Sequence, residues 1–168
     1  VAADGKTGDG AGILVGVPQA FFQDQVRRVG HTPRSEPIAV GMMFLPRTDL
    51  AAQEVARTFV ESEVLREGFY IYGWRQAPVD VSVIGAQAAA TRPEIEQIML
   101  APPPGVDGEA LERMLFRCRG RIEKRVAAAN LQGFYICSLS ARSVVYKGMF
   151  RAEDMDGFYA DLRDPGFE

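Results

Sequence analysis

The stretch Ile38 to Pro46, IAVGMMFLP, limits the possible folds more than any other part of the chain. A strand with one wet face alternates apolar and polar residues. This run does not alternate, as expected when both faces of its sheet are covered. The chain has the material for such a core: 168 residues at 47% apolar content suit one domain, or most of one.

The flanking patterns supply the cover. Ile13 to Val17 reads as a buried strand, and Pro18 suits the first turn of the next helix, Gln19 to Val29. That helix carries Phe21, Phe22 and Val26 on one side and ends at Gly30. Asp49, or Thr48 before it, can cap a helix from Leu50 to about Glu67, with Val55, Phe59, Val60 and Val64 as its expected apolar stripe. A strand rich in aromatics then begins at Phe69. The segment from Val81 reads as a short extended stretch and a connection through Pro93, and periodicity leaves Glu94 to Ile98 open between helix and strand.

From Asp107 the pattern turns helical, with Leu111, Leu115, Cys118 and Ile122 on one stripe and Gly120 as a weak point. Its five arginines and one lysine alternate with three glutamates, which suits a solvated face rather than a nucleic-acid stripe. Gly133 to Phe150 reads as a hairpin with its turn near Ala141 and Arg142. Two short helical segments are expected around Ala152 to Met155 and Asp156 to Leu162.

Charge and composition narrow the function. A net charge of −3 offers no field for nucleic acid. The longest apolar stretch falls far below the roughly 20 residues of a membrane span, so a soluble, cytoplasmic protein without a membrane partner is expected. Cys118 and Cys137 lie far apart without CxxC spacing and His31 is the sole histidine, so a zinc site lacks ligands. Both cysteines read as small, reduced core residues.

The glycine cluster in TGDGAGILVGVP, with Gly8, Gly10 and Gly12, invites a phosphate-binding reading. A Walker loop requires Lys and Ser or Thr after its last glycine, where this chain has Ile13 and Leu14. A dinucleotide loop must come after a strand and open a helix, and here the cluster precedes a strand. What remains is a tight turn where the backbone approaches another segment or a ligand closely, with Asp9 capping or orienting an amide.

Other residues carry weaker signals. Trp74 and Arg75 read as the edge of the core or as a stacked pair against a partner segment. Asp80 can cap the next segment. Lys147 and Arg142 flank the expected hairpin as solvated charges or anion contacts, and His31 is expected exposed in a loop.

Several stretches carry a resemblance. ADGKTGDGAGIL (Ala3 to Leu14), YGWRQAPVD (Tyr72 to Asp80), ATRPEIEQIML (Ala90 to Leu100), FYICSLSARSVVYKGMF (Phe134 to Phe150) and FYADLRDPGFE (Phe158 to Glu168) occur in this order over essentially the whole chain. Together they resemble the glutaminase domain of the glutamate synthase large subunit, a class II glutamine amidotransferase. The resemblance implies an α+β fold of the N-terminal nucleophile hydrolase type, four layers αββα with two antiparallel sheets face to face. Residues 1–168 would form a single partial domain, interior to a type 2 glutamine amidotransferase domain and truncated at both ends.

In that family an N-terminal cysteine attacks the glutamine amide and its own α-amino group relays the proton. No position here matches it. The nucleophile is expected upstream of Val1, and an arginine motif and an asparagine-glycine oxyanion pair after Glu168. No catalytic, cofactor-binding or metal-binding residue is therefore assigned in this chain, and the chain alone is expected to be inactive. For the full-length enzyme the resemblance implies FMN and an iron–sulfur cluster. It also implies glutamine as substrate, 2-oxoglutarate as ammonia acceptor, and the remaining synthase domains with a small NADPH-oxidising subunit or ferredoxin as partners. The alternative is a non-catalytic ligand-binding or interaction module that keeps the amidotransferase-like scaffold.

Overall fold

The computed structural model describes residues 3–167. In chain order these form β1 (Thr7–Gly16), α1 (Gln19–Arg28), β2 (Ala39–Leu45), α2 (Leu50–Arg66), β3 (Tyr70–Gln76), α3 (Ala86–Thr91), β4 (Glu94–Ala101), α4 (Gly108–Ala128), β5 (Tyr135–Ser140), β6 (Ser143–Phe150) and the short α5 (Met155–Phe158), with 3₁₀ turns between them and after α5. Two antiparallel sheets result, one ordered β3-β4-β2-β5 and the other pairing β1 with β6.

β2 lies inside the larger sheet, and both of its faces are sealed. Val40 and Met42 point into the core shared with the smaller sheet, where they meet Val144, Tyr146 and Phe150. Ala39 and Met43 point the other way, into a core built with Val60 and Val64 of α2 and Leu111, Leu115, Cys118 and Ile122 of α4. The architecture is thus a helix pair, a four-stranded sheet and a two-stranded sheet, with α1 closing the flank of the inter-sheet core through Phe21, Phe22 and Val26.

The helices begin and end where side-chain chemistry dictates. Asp49 accepts a bond from the Ala52 amide at 3.0 Å and caps α2, which stops before Gly68 at a φ of +93°. The expected stripe of α2 is displaced. Val55 is 40% exposed, while Gln53 and Glu63 are buried beside Ala56, Val60 and Val64. Gln53 can be buried because its amide donates to the Pro46 carbonyl at 2.7 Å. On α4 the expected stripe is the buried one. Its arginines are not simply solvated: Arg117 and Arg121 pair with Glu67, and Arg125 lies 3.5 Å from Glu63, so the charges form a ladder between α2 and α4.

Two further expectations change, and the reading left open at Glu94 to Ile98 is resolved. Ala86–Thr91 is helical rather than extended. Its first turn is capped across the chain: Asp4 accepts the Gln87 amide at 3.3 Å, and Thr7 Oγ1 accepts the Ala88 amide at 3.3 Å. Glu94–Ala101 is a strand, despite Glu96 and Gln97 in its middle. Glu96 is neutralised by Arg57, whose Nη2 lies 2.6 Å away.

The expected hairpin is not one. β5 pairs with β2 and β6 pairs with β1, so the chain crosses from one sheet to the other at Ala141 and Arg142. Ser138 and Ser140 hold the corner. Ser140 Oγ accepts the Arg142 amide at 2.9 Å, and Ser138 Oγ accepts the Val145 amide at 3.0 Å.

Candidate functional site

The glycine cluster lies within β1 rather than in a turn ahead of it. The β1–β6 register slips between Thr7 and Ala11, which places Gly8 and Gly10 in an irregular, bulged stretch. A Cβ on Gly8 would come within 2.5 Å of the Phe150 carbonyl oxygen, and one on Gly12 within 3.1 Å of Lys147 Cβ. Gly10 adopts a φ of +130°, which an L side chain rarely tolerates. The glycines therefore serve backbone packing between two strands. Beside them an open cleft of about 390 Å3 is bounded by Gly10, Gly12, Phe44, Lys147 and Met149.

The most ordered chemistry is buried between the sheets. Arg75 donates to Asp161 through both terminal nitrogens, at 2.8 and 3.0 Å, and to Gln97 Oε1 at 2.6 Å. Tyr146 donates its hydroxyl to Asp161 at 2.8 Å, and the Gln97 amide donates to the Tyr146 oxygen at 3.0 Å. The Arg75 and Asp161 side chains are only 9% and 4% exposed. Such a pair is tolerable in the interior because each polar atom is answered in a bidentate geometry. Burial, then the Asp161 charge, pushes the Tyr146 hydroxyl far above the ordinary tyrosine range. It remains a proton donor and cannot act as a base near neutrality. What the network does is pin the 3₁₀ segment Ala160–Arg163, and so the end of the described chain, onto β3, β4 and β6.

Trp74 and Arg75 do not stack together. Trp74 packs against the helix-side core and donates its indole N–H to Glu61 at 2.8 Å, while Arg75 enters the inter-sheet side. Asp80 caps the turn after it, accepting the Ser82 amide at 3.0 Å. Arg142 pairs with Glu109 at 2.7 Å. Lys147 donates to the Tyr135 hydroxyl at 2.9 Å and sits 4.0 Å from the centre of that ring. His31 is half-buried rather than exposed, set edge-on to Tyr70 with the ring centres 5.7 Å apart.

Both cysteines are free thiols and buried. Cys118 faces the helix-side core and Cys137 the inter-sheet core. Burial pushes their thiols up to about 11 and about 12, respectively, so almost no thiolate exists near neutral pH. The two lie on opposite faces of the four-stranded sheet. Among the described residues no group of three or more His, Cys, Asp or Glu could hold a metal ion, so these residues do not fit the ligand set of an iron–sulfur cluster. No helix among the described residues is long and apolar enough to cross a membrane.

The mixed α/β architecture with two antiparallel sheets is consistent with the α+β class expected from the resemblance; among the described residues helices cover one outer face of the sheet pair. The chain belongs to the class-II glutamine amidotransferases, whose family model matches residues 1–168. Its relatives are more particular. It is 56% identical over 168 residues to the glutamate synthase [NADPH] large chain of Azospirillum brasilense, covering 100% of this chain and 11% of that one. It is 40% identical to ferredoxin-dependent glutamate synthase 2 of Synechocystis sp., covering 99% and 10%. Against the chloroplastic ferredoxin-dependent glutamate synthase of Oryza sativa it is 38% identical, covering 96% and 10%. The chain thus spans about a tenth of the length of these relatives.

Sequence reasoning missed Asp161 and Gln97. Both lie within stretches that carry the resemblance, yet nothing local marks them as partners of Arg75.

Proposed function

We propose that the chain is the interior part of the glutaminase domain of a glutamate synthase. In this reading residues 1–168 form one partial domain of the N-terminal nucleophile hydrolase type, and a further helical layer covers the outer face of the β1–β6 sheet, where Leu14 and Met149 are 67% and 55% exposed. The domain hydrolyses glutamine to glutamate and ammonia, and the ammonia is used for reductive transfer to 2-oxoglutarate.

The nucleophilic cysteine lies upstream of Val1, and the arginine and asparagine-glycine motifs lie after Glu168. FMN and the iron–sulfur cluster belong to other parts of the protein, where they supply the reducing equivalents, with NADPH or ferredoxin as donor. This chain contributes the scaffold. The glycine-bearing strand β1 and the Arg75–Asp161 clamp fix the first and last parts of the described segment onto the inter-sheet core.

The single observation carrying this reading is the 56% identity over the whole chain to a glutamate synthase large chain. The sealed, protonated thiols of Cys118 and Cys137 fit it, because a nucleophile must then come from elsewhere. The test is glutamine-dependent ammonia release by the protein expressed from its own reading frame. Activity is expected to survive Cys118→Ser and Cys137→Ser and to vanish when the N-terminal cysteine is replaced. Loss of turnover in properly folded Cys118→Ser or Cys137→Ser protein would overturn the reading.

A further inference from the structure

A cavity of about 420 Å3 opens at the end of the four-stranded sheet where β2 and β3 finish and β4 begins. Arg47, Arg92, Gln76 and Glu94 line it, with Val79 and Val81 as apolar wall. Arg47 comes shortly after β2, and its guanidinium donates to the carbonyls of Arg92 at 3.2 Å and Ala90 at 3.0 Å. Arg92 donates to the Ala89 carbonyl. These carbonyls close the C-terminal end of α3, so both guanidinium groups are fixed by main chain.

Capping α3 explains only part of what these arginines carry. A guanidinium has five N–H donors; Arg47 uses two of them and Arg92 one. Among the described residues neither arginine has a carboxylate partner, whereas Arg57, Arg75, Arg121 and Arg142 all do. Both are half-buried, where a cation without a counter-charge is more costly than on an open surface. Glu94 lines the same cavity and accepts a bond from the Gln76 amide. The cavity therefore presents two fixed cations and one carboxylate.

We propose that this cavity binds an acidic α-amino acid, its two carboxylates on Arg47 and Arg92 and its ammonium group on Glu94. Such a ligand carries two negative groups and one positive, the complement of the three charged side chains. A planar carboxylate matches the forked donors of arginine. The volume accommodates a molecule of this size together with water. The site is separate from both cysteines, and the proposal does not depend on glutamine hydrolysis.

The experiment is calorimetric titration of the intact protein, expressed from its own reading frame, with L-aspartate, L-glutamate, succinate and inorganic phosphate. Saturable binding of the two amino acids is expected, with succinate and phosphate about tenfold weaker or worse. Arg92→Gln should weaken amino-acid binding by about tenfold or more. Because Arg92 also caps α3, Glu94→Gln serves as the second variant: it should weaken the amino acids and leave succinate unchanged, removing the preference between them. Three outcomes would overturn the assignment: no saturable binding of either amino acid, wild-type binding of succinate or phosphate as tight as that of aspartate, or amino-acid binding unaltered in Glu94→Gln. The last would place the amino acids in another pocket, including the amidotransferase's own.

Discussion

The two faces of the four-stranded sheet are held by different physics. On the helix side, apolar side chains from α2 and α4 fill most of the core, and its charges are paired between elements: Arg57 of α2 meets the buried Glu96 of β4, and Arg117, Arg121 and Arg125 face Glu63 and Glu67. On the inter-sheet side, a charged pair with two hydrogen-bonding companions is buried at the β3 edge of the core. The helix side is tolerant, because packing is spread over many contacts. The inter-sheet side is specific, because its polar atoms depend on a few defined, shared partners.

Breaking that contrast begins with Asp161→Ala, which leaves the Arg75 charge buried and unanswered. A loss of about 4 kcal/mol is expected in denaturant unfolding. Replacing both partners, Arg75→Met with Asp161→Leu, should recover much of it, since the desolvation cost disappears with the charges. A double variant as unstable as the single one would show that this face does not owe its specificity to the charged pair.

Next in size is Leu115→Ala in the helix-side core, where a cavity at a fully buried position costs roughly 3 kcal/mol. Its effect should not change with salt. Arg121→Ala at the rim sharpens the contrast from the other direction: about 1 kcal/mol or less is expected, falling as ionic strength rises.

The smallest effect near neutrality concerns protons. Cys118 and Cys137 mark one face each, and both thiols are raised from an ordinary value near 9 to about 11 and about 12. The unfolded chain loses these protons first. Their contribution is therefore fully present below pH 9 and declines as pH rises from about 9 through the folded values. Thermal melts between pH 8 and 10 should show stability beginning to fall, and Cys137→Ala should flatten part of that slope.

The helix side is largely legible in the sequence. The α4 stripe can be read because its partners are apolar and its period is unbroken. The unbroken apolar run of β2 announces cover on both faces. The α2 stripe fails where a polar residue satisfies itself inside, as Gln53 does on the Pro46 carbonyl. β4 is ambiguous for the same reason, since Glu96 and Gln97 look solvated until Arg57 and Arg75 are known to meet them. The corner at Ala141 and Arg142 reads as a hairpin because two adjacent strand patterns do not reveal which neighbours they pair with. The choice is made by β1 and β2, far away in sequence. The glycine cluster announces close backbone approach, but not that the approach occurs within a sheet.

That corner governs how the molecule comes apart. With β5 bonded into the larger sheet and β6 into the smaller, the two-residue link at Ala141 and Arg142 leaves neither sheet free to detach without pulling on the other. Opening of the inter-sheet core is thus mechanically coupled to fraying of both ladders. Amide protons on β2 and on β6 should exchange through one shared opening event, making the two sheets a single unit of cooperativity rather than a stable sheet with a loose flap.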